Sequence, residues 1–426
     1  MAEQDNLQGK KLLILGGSDL HCELVRTAKK LGVETYVTDY RSMEQSPGKQ
    51  LADHAWDLST TDIDAVVERC RREGIDGVLN MYYDSCQLPY QEICEKLGLP
   101  CFGTREQYEI FTDKQRFLET CVKYGVDIIP QYREEDFAFD NPEIEYPVYV
   151  KPSDCCGSRG QSVCRSYAEV GPAIALARKE SSAGNVVIER FIENGLDIQL
   201  VILMIDGEPY PEHISHKFNG TAEEGFSGMI LGGVAPTRHE KTILADGYPK
   251  IEKMLKALEL RNAPVFLQAF LDGDKLRVYD PALRFPGALY EQGLREATGL
   301  DVFEAMVVFA LTGAFPQWMK TLPTCRKMDG MSLALLFINL RSGTIREIRG
   351  LEELGKEFLV TVKHSVGDRI EAWYDVRQCF CEMDFLFHSM EEAERIVQRI
   401  YNTLQILDEN GEDMKIALLD TAQLQG

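Results

Sequence analysis

The sequence is short of every feature that would tie it to nucleic acid, to a membrane or to an oxidising compartment. Lysine and arginine number only 46 against 68 aspartate and glutamate, a formal charge of −22. A duplex nucleic-acid binder needs a basic face, so that class is not expected here. The deficit of positive charge does not exclude small anions, which a few local lysines and arginines can still focus. No apolar run reaches the length of a membrane span. Residues 1–9 are polar and lead into a strand, which is not the pattern of a signal peptide. There are twelve cysteines but no C-x-x-C pair. Cys155-Cys156 and Cys379-Phe380-Cys381 have the wrong spacing for a usual zinc site. Reduced thiols and a cytoplasmic location are the expectation. The seven histidines are scattered without metal spacing, and no Ser-His-Asp or Cys-His arrangement is readable.

What is present is a long α/β pattern. A hydrophobic content of 44% supplies real cores. The length suits roughly three domains. Lys11 to Leu15 reads as an apolar strand, followed by Gly16-Gly17-Ser18-Asp19 and a helix with Leu24, Val25, Ala28 and Leu31 on one face. Gly32 suits a left-handed cap, and Glu34 to Val37 is the next strand. This βαβ start invites a dinucleotide reading, but Leu20 and His21 stand where a later glycine should be. A helix follows over about Asp62 to Glu73, then a buried strand at Gly77 to Asn80 and a helix from Gln87 to Leu97. Asp84 lies in the loop at that strand's carboxyl end, and as a lone loop acid it is expected to be solvated. Thr112 or Asp113 caps a further helix that begins with Lys114.

The most informative stretch is 146–192. Tyr146 to Pro152 is a strand closed by Lys151-Pro152. The loop 153–160 follows, with Gly157, Ser158 and Gly160, and its backbone N–H groups can close on phosphate oxygens. Lys151 places an ammonium beside the same phosphates. An Ala-rich helix then leads to a strand over Val186 to Ile192. Farther on, Gln268 and Asp280 lie near the ends of two strands joined by the turn Asp272-Gly273-Asp274, and Arg284 follows. Both could offer oxygen to one metal, and Mg²⁺ takes a few such ligands beside phosphates and water.

A strand ending in Lys-Pro, a Gly-Ser-x-Gly flap, a helix and an apolar strand ending in Glu-x-x-Ile resemble the nucleotide-binding core of the ATP-grasp superfamily. The likeness is to carboxylate–amine ligases, with features similar to biotin-carboxylase-like and carbamoyl-phosphate-synthetase-like enzymes. It extends outward over most of the chain. It implies a mixed α/β and α+β protein. Residues 1–110 would be an N-terminal α/β domain on the substrate side, and 111–190 the lid region with its flap. Residues 191–325 would be the large domain with the metal site, and 326–426 a small C-terminal α+β domain. The resemblance gives Lys114, Lys151, Gly157, Ser158 and Gly160 to the phosphates of ATP. It gives Glu189, Arg190 and Ile192 to the adenine edge and Asp197 to the ribose. Lys217, in a long polar segment from His213 to Gly233 expected to be a loop, would contact a phosphate or carboxylate. Gln268 and Asp280 would hold Mg²⁺, with Mn²⁺ as a substitute. Arg284 would neutralise charge on the phosphoryl group in transfer.

The chain also departs from the family pattern. Asp280 replaces a longer Glu, and Ala282 stands where an Asn is usual. Water, phosphate or Glu291 would then have to make up the ligand set. The implied function is an ATP- and Mg²⁺-dependent ligase that activates a small-molecule carboxylate as an acyl phosphate for attack by an amine. The alternatives are carboxyphosphate or carbamoyl-phosphate chemistry, or an ATP-binding pseudoenzyme that senses the nucleotide. No nucleic-acid or membrane partner is implied, and a homodimer is compatible with the C-terminal unit. In that unit, Gly343-Thr344 is expected to turn the chain into a hairpin whose second strand is Ile345 to Ile348.

Overall fold

The computed structural model describes residues 7–152, 160–181, 184–193, 195–220, 226, 229–288, 290–320, 328, 330–373 and 376–425. The N-terminal sheet is parallel and comprises β1 (Lys11–Leu15), β2 (Glu34–Thr38), β3 (His54–Trp56) and β4 (Gly77–Leu79), in the order β3-β2-β1-β4. Its strands read as near-continuous apolar runs because both faces are covered. Gly32 takes φ +76° at the end of the first helix, as its position after Leu31 predicts. Gly16 also has a positive φ, +105°, and a Cβ there would meet His21 and Tyr83 at under 3 Å.

A second, antiparallel sheet is built from β5 (Gln131–Tyr132), β6 (Val148–Pro152), β7 (Ser162–Cys164) and β8 (Val186–Arg190), in the order β5-β8-β6-β7. The helix Tyr167–Glu180 covers it, and Val148, Val150, Ile188, Val170 and Ala177 make its core. β6 and β7 are the two strands that flank the glycine-bearing loop. Gly157 and Ser158 lie outside the described residues. Gly160 has φ +70°, and a Cβ on it would sit 2.9 Å from Glu180 Cβ, so glycine is required there.

The largest sheet has nine strands. Five precede residue 290: β9 (Leu196–Ile205), β10 (Glu208–Asn219), β11 (Ile230–Ala235), β12 (Ala263–Asp272) and β13 (Lys275–Ala282). The C-terminal part adds four, β14 (Ser332–Leu340), β17 (Leu359–Val362), β19 (Cys379–Phe387) and β21 (Lys415–Ile416), while β15 (Gly343–Thr344), β16 (Glu347–Arg349), β18 (Arg369–Ile370) and β20 (Gln405–Leu407) form two separate pairs. The sheet runs β13-β12-β9-β10-β11-β14-β19-β17, with β21 pairing on β14. It is therefore continuous across the large-domain and C-terminal segments. The N-terminal sheet and the β9–β12–β13 region share one hydrophobic core, into which the helix Val302–Thr312 inserts Phe303, Met306, Val307 and Ala310.

Two sequence expectations are overturned. In the segment His213 to Gly233, expected to be a loop, 213–219 continue β10 and 230–233 belong to β11. Both strands have a partner on either side, so their backbone groups are satisfied by pairing despite the polar composition. Nor do Gly343-Thr344 turn into a local hairpin. β15 pairs with β18, and β16 with β20. The two short strands are separated by Ile345, which is fully buried, and burying it sends them to different partners.

Candidate nucleotide and phosphoryl-transfer site

β9, β10, β12 and β13 put their polar residues on one face in register. Lys217 pairs across from Asp197, and Gln268 lies opposite both Gln199 and Asp280. The β12–β13 ladder slips by one residue between Gln268 and Ala269, leaving Tyr279 as the extra residue. A bulge of this kind breaks strict alternation, and Tyr279 and Asp280 both reach the same cluster. Tyr279 Oη donates to Asp197 Oδ1 at 3.2 Å and to Gln268 Oε1 at 3.3 Å. Burial, with Asp197 and Asp280 beside it, pushes the Tyr279 hydroxyl well above its ordinary range, so it stays a donor.

These contacts form one chain of charge and hydrogen bonds. Lys217 Nζ is 2.7 Å from Asp197 Oδ2 and 3.5 Å from Gln268 Oε1. Asn219 Nδ2 donates to Asp197 at 2.8 Å. Gln268 Nε2 donates to Asp280 Oδ2 at 3.1 Å, and Lys114 Nζ pairs with Asp280 Oδ1 at 2.9 Å. Lys114 reaches in as the first residue of the helix Lys114–Tyr124, whose N-cap is Asp113. Five residues expected from the sequence at separate points of the chain, Lys114, Asp197, Lys217, Gln268 and Asp280, are thus assembled together. Tyr279 and Asn219 were not foreseen. No sequence signal marks a bulge, and Asn219 lies in the stretch expected to be a loop.

The four-stranded sheet carries the other expected nucleotide contacts. Lys151 Nζ lies 2.5 Å from Glu189 Oε1 and 5.6 Å from the Tyr149 ring centroid. Arg190, expected at the base edge, bridges instead to Asp272 and to Glu145, the latter at 3.1 Å. Asp272 also takes Arg277 Nε at 2.7 Å. This ties the end of β8 to the β12–β13 turn. The backbone N–H groups of Arg190 and Phe191 donate to Pro130 and Pro147 carbonyls at 2.9 and 2.8 Å, so neither is left for a base. Ile192 and Phe270 pack closely on Gly195. A Cβ on Gly195 would lie 2.3 Å from Ile192 Cγ2 and 3.2 Å from Phe270 Cβ, and Phe270 stacks on Tyr279 with centroids 4.9 Å apart.

Arg284 stands apart from that network. Its Nε and Nη2 donate to the two oxygens of Asp84 at 2.6 and 2.7 Å, and Nη1 donates to the Phe285 carbonyl at 2.6 Å. Its guanidinium also lies 5.4 Å from the Phe266 ring centroid. Asp84 is therefore not merely solvated: it is the partner of the arginine expected at the transferred group. Ala282 is buried in β13 opposite Phe266. Glu291, considered as a substitute metal ligand, is fully buried near Glu212 rather than joined to Gln268 and Asp280.

The donor set fits a divalent cation bound together with phosphate. Asp280 already accepts a positive group, the Lys114 ammonium, and the Gln268 amide oxygen lies in the same cluster. One carboxylate and one amide oxygen suit Mg²⁺, which keeps water and takes phosphate oxygens. Among the described residues, no group of three or more His, Cys, Asp or Glu is arranged to hold a metal by itself.

Residues 111–207 match the family model described as the carbamoyl-phosphate synthase L chain, ATP binding domain. The whole chain superposes on phosphoribosylglycinamide synthetase from Anaerococcus prevotii with a TM-score of 0.78, at 18% identity, covering 94% of this chain and 100% of that one. The chain has the ATP-grasp fold. The L-amino acid ligase from Bacillus licheniformis is similar at a TM-score of 0.74 and 18% identity, over 95% of this chain and 100% of the other. So is the biotin carboxylase domain of the 2-oxoglutarate carboxylase from Hydrogenobacter thermophilus, a dimer in complex with MgADP, ADP and bicarbonate. Its TM-score is 0.74 at 18% identity, over 94% of this chain and 91% of that one. In sequence, the chain is 26% identical to the 2-oxoglutarate carboxylase small subunit of that organism, over 46% of this chain and 45% of the relative. It is 24% identical to the arginine-specific carbamoyl phosphate synthase large chain of Bacillus subtilis, over 60% of this chain and 25% of that one. The chain thus spans less than half the length of these two relatives. No described helix is long and apolar enough to cross a membrane.

Proposed function

We propose that the chain is an ATP- and Mg²⁺-dependent ligase that activates a small carboxylate as an acyl phosphate for attack by an amine. The observation that carries this reading is the single polar network running from Lys114 through Asp280, Gln268 and Lys217 to Asp197. It places two ammonium groups, two carboxylates and one amide on one sheet face, the set needed to hold polyphosphate with a cation. Lys114 and Lys151 bind the phosphates. Lys151 now rests on Glu189 and Lys114 on Asp280, and each ammonium exchanges its carboxylate for phosphate oxygen when nucleotide arrives. The base packs against Ile192 just past the end of β8. Asp197, fixed by Lys217, Asn219 and Tyr279, faces the ribose.

Asp280 and Gln268 would hold Mg²⁺, which when bound neutralises phosphate charge and orients the transferred group. Arg284, oriented by Asp84, offsets the charge that develops on the phosphoryl group. Lys217 holds the carboxylate being activated. The four units at 1–110, 111–190, 191–325 and 326–426 supply the substrate side, the lid, the transfer site and the C-terminal cover.

A second reading takes bicarbonate as the activated acid, giving carboxyphosphate. The likeness to carboxylases and the amide at Gln268 favour it. Ala282 favours a third, a nucleotide sensor without turnover. One assay separates them: ADP release from ATP and Mg²⁺ with a panel of amino acids, with bicarbonate, and with neither. Release with an amino acid and an amine supports the ligase. Release with bicarbonate alone moves the assignment to carboxyphosphate chemistry. ATP binding without release under every condition removes both.

A further inference from the structure

One buried group of side chains plays no part in the site just described. Glu291 opens the helix Tyr290–Thr298 and is 0% exposed, and both of its carboxylate oxygens lack a hydrogen-bond partner. Glu212, at the bulge of β10, is 1% exposed, and its Oε1 is unpartnered too. Its Oε2 faces His213 Nδ1 at 3.3 Å, while His213 Nε2 has no partner. The Tyr82 hydroxyl, contributed by the loop after β4 and 3% exposed, is likewise unpartnered. Glu212 bears electrostatically on Glu291, and both bear on Tyr82; buried polar atoms are nearly always satisfied, so these unmet groups from three elements call for a ligand that donates.

The cations nearby are already committed. Lys363 pairs with Glu382 at 2.5 Å, and Arg295 with Glu23 at 2.8 Å and Asp301 at 3.6 Å. Burial, and next the neighbouring Glu212, push the Glu291 carboxyl well above the ordinary glutamate range, as expected for acids that lack a counter-charge. A metal does not fit, since no three such ligands among the described residues are arranged around one point. A primary ammonium does. It has three N–H donors, which match the oxygens of Glu291, Glu212 and Tyr82. The His213 and Tyr290 rings pack on each other beside these groups, with centroids 4.8 Å apart.

The location joins the group to the transfer site. A Cβ on Gly233 would lie 2.0 Å from the Tyr290 hydroxyl, so that hydroxyl rests on Gly233, and Gly233 is the cross-strand partner of Lys217. Lys217 is the residue given above to the activated carboxylate.

We propose that Glu291, Glu212 and Tyr82 form a subsite for a primary alkylammonium group, making the amine-bearing reactant a cationic amine held beside the strand that carries Lys217. The assignment of this amine as a reactant rests on the ligase reading, whereas its binding does not.

The test is calorimetric titration of the full chain, without ATP, using n-butylammonium chloride and 1,4-diaminobutane dihydrochloride, with tetramethylammonium chloride as a cation that has no N–H donor. The expected result is saturable binding of the two primary amines and none of the tetramethyl salt. Glu291→Gln and Glu212→Gln should each weaken binding at least tenfold. Equal affinity in wild type and both variants overturns the subsite. So does absence of binding by either primary amine. A second measurement covers variants that fail to fold: the primary amines should raise the Tm of the wild-type chain at constant ionic strength, and an unchanged Tm overturns the subsite as well. The ADP-release assay is separate. Amine binding without ADP release removes the ligase reading and leaves the subsite, and ADP release without amine binding does the reverse.

Discussion

Asp84 and Arg284 are 200 residues apart in sequence, yet the aspartate grips both Nε and Nη2 of the guanidinium, at 2.6 and 2.7 Å. The arginine side chain is only 10% exposed while the aspartate side chain is 67% exposed, so the pair sits at the rim with the arginine directed inward. The loop after β4 thereby sets the orientation of the guanidinium proposed above to act on the transferred group. A bidentate carboxylate fixes the plane of the fork as well as its position.

Replacing that grip has a definite consequence. Asp84→Asn keeps the shape but offers one acceptor instead of two and removes the charge. A hydrogen bond to a charged group contributes roughly 1.5–3 kcal/mol, so turnover measured as ADP release should fall by about tenfold to a hundredfold. ATP affinity should change little, because Asp84 touches none of the nucleotide residues. A loss of ATP affinity as large as the loss of turnover would show that Arg284 acts in binding rather than in transfer.

Lys151→Ala tests the lid. Lys151 is the only cation seen on Glu189 among the described residues, and Glu189 is buried. Removing the ammonium should weaken ATP binding at least tenfold in a calorimetric titration, a loss of about 1.4 kcal/mol or more. It should also lower Tm by several degrees, since a buried carboxylate is left without its partner. Lys151→Ala with Glu189→Gln should restore most of the Tm and none of the ATP affinity. Unchanged ATP affinity in the single variant would remove Lys151 from the nucleotide site.

Much of this site was legible before the fold was known, and the remainder was illegible for physical reasons. Lys114 and Asp197 were marked by the family resemblance, Gln268 and Asp280 by their places near the ends of two paired strands, and the fold brings all four into one cluster. Tyr279 was missed because a bulge is a property of two paired strands, not of either one alone. Asn219 and the extent of β10 were missed because the polar sequence after His213 resembles a loop, and only its two neighbouring strands make it a sheet. Arg190 is a clearer lesson. Its place at the end of β8 was read correctly, but its side chain is drawn to Asp272 and Glu145, partners no local rule can supply. Asp84 was read as a solvated acid because its arginine is encoded 200 residues later.

Buried acids should leave a signature in stability against pH. The Glu291 carboxyl is raised above its ordinary value of 4.5 by burial and then by Glu212, and Asp384 is raised above 3.8 by burial and then by Glu382. Such groups bind protons more readily in the folded state. Their contribution to stability is complete below the ordinary values and is lost as pH rises through the folded ones. His21 works in the opposite direction. Burial lowers it from 6.5 to about 4, so its contribution is present above 6.5 and is lost as pH falls toward 4. Urea denaturation at a series of pH values should therefore show stability falling as pH rises above the ordinary carboxyl values, with His21 offsetting part of that fall between pH 4 and 6.5. Glu291→Gln should flatten the alkaline side and leave the acid side alone. An unaltered alkaline slope in that variant would mean that Glu291 stays charged in the folded protein.

The altered metal ligands give the sharpest test of whether this site turns over. Asp280 is the carboxylate on which Lys114 rests and to which Gln268 donates. Asp280→Asn removes its charge at nearly constant shape. Mg²⁺ is held by one or two carboxylates beside phosphate and water, so the Mg²⁺ concentration for half-maximal ADP release should rise at least tenfold, or turnover should vanish. Lys114 loses the Asp280 carboxylate in the same variant, so ATP binding measured without metal should hold or improve. That opposite movement separates a metal ligand from a general contributor to folding. Ala282→Asn is the companion. Ala282 is buried opposite Phe266, and the larger amide costs packing there, so Tm should fall. In a working ligase the added amide oxygen should nevertheless lower the Mg²⁺ requirement or leave it unchanged. If the wild-type chain binds ATP with no dependence on Mg²⁺, and neither variant alters that binding, Asp280 is a structural partner of Lys114 and the chain is a nucleotide sensor.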